Sequence, residues 1–189
     1  TTAETASTFA ELLVFDYLTR NEKDPEVLLG LYAAKLEDIF ATSFRQTVLT
    51  EFEESIFARR KEKQLTAEEI GNIWLEKQSA YYGDSVEFPP KYEWAWAYIH
   101  HFIMAPFYCY SYTFGQLLVL SLYEMYKEEG EKFVPKSITL LESGGSDSPE
   151  NLLKPFGVDF HNPEFWQKGY ALINQLLNKY KALVEETSK

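Results

Sequence analysis

Between residues 28 and 40 the apolar side chains fall at Leu28, Leu29, Leu31, Tyr32, Leu36, Ile39 and Phe40. Steps of three and four are the period of an α-helix that buries one face. The spacing returns near the end of the chain, where Phe165, Trp166, Tyr170, Ile173, Leu176, Leu177 and Tyr180 form a broad stripe suited to packing on other helices. Start signals accompany these runs: Asp24 before Pro25 and Glu26, Thr66 with Glu69 three residues on, Ser148 before Pro149, and Asn162 before Pro163. Each puts a side-chain acceptor where the amides of a first helical turn lack partners. Ser143-Gly144-Gly145-Ser146 reads as a turn. The pattern predicts helices at about residues 3–20, 25–60, 66–82, 92–128, 149–155 and 163–186. No period-two strand pattern or internal repeat competes with it. The expected fold is all-α, a multi-helix bundle forming one helical region over residues 1–189.

Composition supports a packed core: 46% of the 189 residues are apolar and 16% aromatic. The formal charge of −11 argues against nucleic acid as a partner, because phosphate neutralisation needs a basic face. Cys109 is the single cysteine, which excludes an internal disulfide. Its apolar surroundings predict a buried, inert thiol, and cytoplasm is the expected compartment. From Trp94 to Tyr123 there is no Asp, Glu, Lys or Arg. His100, His101, Ser111 and the tyrosines make this run a buried helix rather than a membrane span, so no membrane partner is expected.

Candidate chemistry is concentrated in two places. Glu4 and Glu11 are seven apart, two helical turns, so both carboxylates project from one face. That face is either solvated or, at Glu4, the source of one metal ligand; a lone carboxylate does not make a site. In "HHFIMAPFYCYSY", residues 100–112, His101, Tyr108 and Tyr112 are related by steps of seven and four. On an unbroken helix they share a face and Tyr110 points away. Pro106 intrudes, so the helix can kink or start anew there. The stripe is either a set of satisfied core groups or an array of donors aimed at an anionic intermediate. His100 and His161 read as structural or solvated.

Three stretches in order then carry a resemblance: "AETASTFAE" from Ala3 to Glu11, "HFIMAPFYCYSYTFG" from His101 to Gly115, and "GGSDSPENLLKPFGVDFHNPEFW" from Gly144 to Trp166. Together they make the chain similar to oligoendopeptidase F, in the thimet-oligopeptidase-like zinc metallopeptidases. The resemblance implies a zinc-dependent endopeptidase acting on oligopeptides. It implies that Glu4 is one zinc ligand, with the other two ligands and the general base on a His-Glu-x-x-His helix. It also implies that His101, Tyr108 and Tyr112 stabilise the tetrahedral oxyanion and hold the substrate, with Tyr110 a further substrate contact.

This sequence contains no His-Glu-x-x-His segment, which the resemblance places upstream of Thr1. The chain is therefore expected to be the carboxy-terminal part of a catalytic domain, inactive alone and prone to self-associate through apolar surface. The competing expectation is a non-catalytic helical scaffold or oligomerising module. A heme-binding bundle using His100 and His101 lacks any supporting motif.

Overall fold

The computed structural model describes residues 5–188. Its helices are α1 (Thr5–Asn21), α2 (Pro25–Ile39), α3 (Arg45–Arg60), α4 (Ala67–Tyr82), α5 (His101–Met104), α6 (Tyr110–Glu129), α7 (Phe133–Ser143), α8 (Pro149–Leu153) and α9 (Pro163–Thr187). No strand occurs among the described residues, so the all-α class and the bundle of helices hold. No helix of the described residues is long and apolar enough to cross a membrane.

The predicted caps form. Asp24 accepts from the Glu26 amide at 2.9 Å, and Asn162 from the Glu164 amide at 2.9 Å. Thr66 and Glu69 make a reciprocal capping box at the start of α4. In "SDSPEN", Asp147 accepts from the Ser148 amide and the Asn151 side chain, while Ser148 caps Asn151. This stretch is therefore a helix-start device built from short acceptor side chains.

Three expectations are corrected. The single helix expected over 25–60 is interrupted by a π-helical turn, Phe40–Phe44. The Ser43 carbonyl there accepts from the hydroxyls of Thr47 at 3.0 Å and Thr113 at 2.8 Å. Side-chain donors thus satisfy a carbonyl at the site where the regular ladder is disturbed. The helix expected over 92–128 is three pieces: a 3₁₀ segment Tyr92–Tyr98, the short α5, and α6 beginning at Tyr110. Helix α7 lies outside the helices that the sequence pattern predicts. Pro135 lies in the first turn of α7, where proline's missing amide donor costs no intrahelical bond.

The chain divides into two compact units, Thr1–Phe40 with Phe114–Lys189, and Ala41–Thr113. In the first, Leu118, Leu122, Phe133, Leu153, Phe156, Val158 and Phe165 form a buried cluster, and the Phe9 ring stacks on Phe133 with centroids 5.8 Å apart. Helix α9 packs along α2 and buries Leu172, Ile173 and Leu176. Glu11 forms an ion pair with Lys35 at 3.4 Å.

In the second unit α3 packs on α4. The buried cluster is Leu49, Phe52, Ile73, Trp74, Ile99 and Cys109, with the Phe52 ring edge-on to Trp74 at 5.2 Å. The 3₁₀ segment lies against α4 at Gly71, where a Cβ would stand 3.0 Å from the Glu93 carbonyl oxygen. This aromatic core carries the segment that holds the histidine and tyrosines.

Candidate active site

The 3₁₀ segment ends at Ile99, which is extended and buried. One turn of helix, His101–Met104, follows. At Ala105 the chain reverses: the Tyr108 amide donates to the Ala105 carbonyl at 3.1 Å, with Pro106 and Phe107 at the corner. Proline at the second position and a positive φ at the third are the marks of a type II turn. Phe107 has φ of 60°, a region that side chains with a Cβ rarely adopt. Cys109 anchors the far side of the turn in the core at 0% exposure, and burial pushes its thiol up to about 11. Helix α6 starts on the next residue.

This reversal brings three rings together. The planes of His101 and Tyr108 are nearly parallel, 9° apart with centroids 5.6 Å apart. Tyr112 meets His101 edge-on at 5.6 Å and Tyr108 edge-on at 5.5 Å. His101 Nε2 and the Tyr112 hydroxyl are 3.1 Å apart. If Nε2 carries no proton, it accepts from the phenol; if it is protonated, it donates, and the phenolic hydrogen is released toward a third group. Tyr108 is 44% exposed, so the cluster opens to solvent.

The predicted residues separate clearly. His101, Tyr108 and Tyr112 are brought together. Tyr110 opens α6 and is 50% exposed, and the described ring contacts of the cluster do not include it. His100 is exposed. Glu4 lies outside the described residues. Among the described residues no three of His, Cys, Asp and Glu gather as a group able to hold a metal.

The sequence reading missed Glu53 on α3, which is 2% exposed. One of its oxygens, Oε1, accepts from the Phe107 amide at 2.9 Å; the other, Oε2, is buried with no hydrogen-bond partner. Burial raises its pKa, opposed by the Phe107 amide and by the nearby His101. The signal was present in the helical period: Leu49, Phe52, Glu53 and Ile56 fall on one face, and a carboxylate there occupies a core position.

A hydrogen-bonded histidine–tyrosine pair thus stands beside a second tyrosine that is open to solvent. Known proteins resemble the chain over nearly its whole length. Oligopeptidase PepF of Bacillus subtilis is 31% identical over 183 residues, 96% of this chain and 27% of that protein. An oligoendopeptidase F homolog of Borreliella burgdorferi is 31% identical over 188 residues, 99% of this chain and 30% of that protein. The chain thus spans less than a third of the length of these relatives. Among solved structures, oligoendopeptidase-F from Enterococcus faecium superposes with a TM-score of 0.88 at 27% identity, over 97% of this chain and 35% of that one. The sequence pattern of Peptidase family M3 matches residues 1–172, and the chain belongs to that family.

Proposed function

We propose that this chain forms the oxyanion-stabilising and substrate-holding wall of a zinc-dependent endopeptidase that cleaves short oligopeptides. The observation that carries the reading is the 3.1 Å contact between His101 Nε2 and the Tyr112 hydroxyl, in a cluster open to solvent. When a peptide carbonyl is attacked, negative charge develops on its oxygen. Donors already fixed around that position stabilise the charge without reorganising, which in measured cases is worth about 3–4 kcal/mol per donor. Tyr112 supplies the phenolic donor, and His101 fixes its direction. Tyr108, stacked on the imidazole, limits rotation of the ring and faces the substrate side. Tyr110, exposed at the start of α6, holds substrate rather than the reacting oxygen.

Zinc supplies the activated water in this reading, and by resemblance Glu4 provides one ligand. The described residues do not themselves make a zinc site. The remaining ligands and the general base are proposed to come from sequence outside these 189 residues, in keeping with the share of each relative that the chain covers.

The test is a peptidase assay on quenched fluorescent oligopeptides, using the whole protein that carries this chain. Activity that a zinc chelator abolishes and His101→Ala severely reduces, at unchanged zinc content, is the expected result. Full activity in His101→Ala overturns the assignment.

A further inference from the structure

Phe107 is a bulky residue at a backbone position that favours glycine. Positive φ at a residue with a Cβ is strained and persists only where the surroundings over-determine it. Two contacts do so here. The Phe107 ring packs on Phe57 of α3, with centroids 4.6 Å apart. Its amide donates to Oε1 of Glu53 at 2.9 Å, one turn of α3 earlier. Burying a carboxylate is costly, and Glu53 is 2% exposed with Oε2 unpartnered. A carboxylate that makes one backbone hydrogen bond and leaves its other oxygen unsatisfied is a poor choice for stability alone. What it holds is the corner joining His101 to Tyr112.

We infer that Glu53 is a positioning residue for the His101–Tyr112 pair, acting through its hydrogen bond to the Phe107 amide to fix the turn at Ala105–Tyr108. The nearby His101 ring also works against burial in setting the Glu53 pKa. Without the bond, the turn relaxes toward negative φ at Phe107, Tyr108 swings off the imidazole, and α6 no longer presents the Tyr112 hydroxyl to Nε2. The catalytic consequence rests on the oxyanion reading above, whereas the geometric claim does not.

The experiment compares Glu53→Gln and Glu53→Leu by nuclear magnetic resonance in the 189-residue chain, where only three histidines need assignment. Glutamine keeps an acceptor for the Phe107 amide; leucine fills similar space without one. The expected result is slow exchange of the Phe107 amide and intact His101–Tyr112 ring cross-peaks in the unsubstituted chain and in Glu53→Gln. In Glu53→Leu that amide exchanges at least about tenfold faster and the cross-peaks weaken, while amides in the Phe52–Trp74 core stay protected.

In the whole protein, Glu53→Leu lowers kcat about tenfold or more with little change in KM, and Glu53→Gln recovers most of the loss. Unchanged Phe107 protection and cross-peaks in Glu53→Leu overturn the inference, as does their equal loss in both variants. Should Glu53→Leu not fold, a Phe107 amide exchanging at the unprotected rate in the unsubstituted chain overturns it equally. A lost turn in Glu53→Leu together with full peptidase activity in His101→Ala sinks the oxyanion reading and leaves the positioning role standing.

Discussion

His101 Nε2 and the Tyr112 hydroxyl lie 3.1 Å apart although eleven residues separate them. On an intact α-helix these side chains share a face but stand about 16 Å apart along the axis, at 1.5 Å rise per residue. The contact exists because the chain reverses at Pro106 and Phe107. The break that clouds the helical reading of this run is what assembles the pair.

The tyrosines are therefore predicted to differ in kinetic weight. In the whole protein, Tyr112→Phe lowers kcat/KM by about 10²–10³-fold, the scale for losing one oxyanion donor. Tyr108→Phe falls between, since the ring stacking on His101 survives and only a hydroxyl is lost. Tyr110→Phe has the smallest effect. Steady-state kinetics on one oligopeptide rank the three, and wild-type activity in Tyr112→Phe refutes the order.

Glu53 predicts a pH signature in stability. A carboxyl whose folded pKa is raised above its ordinary value of 4.5 binds its proton more tightly when folded. Stability is then highest below that value and is lost as pH rises through the raised one. Glu53→Gln removes this loss, so in thermal melts the variant gains stability relative to the unsubstituted chain as pH rises from about 4 toward neutral. A constant difference across that range contradicts the assignment.

Two helical glycines are predicted to respond in opposite directions. Gly30 on α2 has nothing within 4 Å of an added Cβ, so Gly30→Ala stabilises by about 0.5–1 kcal/mol through lower unfolded-state entropy and better helix propensity. At Gly71 the Cβ meets the Glu93 carbonyl oxygen at 3.0 Å and its Cβ at 3.1 Å. Gly71→Ala must push the 3₁₀ segment away from α4 and costs about 1–3 kcal/mol. Denaturant midpoints decide both signs.

The capping box at α4 supplies a further test. Thr66→Ala leaves the Glu69 amide without its acceptor and is expected to destabilise by about 1 kcal/mol. Lys63 and the Thr66 amide hold Glu69 down to about 2. This contribution is present above the ordinary glutamate range and disappears as pH falls toward that value. Urea titrations of Thr66→Ala and Glu69→Gln, at neutral and at acid pH, check the size and the direction.

The sequence by itself determined the class and most of the helices. Period and caps are local properties: Asp24, Thr66, Ser148 and Asn162 each find their acceptor role within three residues. It also singled out the histidine and two of the tyrosines that the structure brings together, because such residues stand out in an uncharged run. Tertiary structure decided how they meet. The π turn at Phe40–Phe44, the positive φ of Phe107 and the burial of Glu53 depend on partners from about fifty to seventy residues away in the chain, as in Glu53 with Phe107 and Ser43 with Thr113. No periodicity in sequence encodes such pairings. They form because a core of Phe52, Trp74 and Cys109 fixes α3 against the turn, and a backbone held from that distance can occupy a conformation its own residues disfavour.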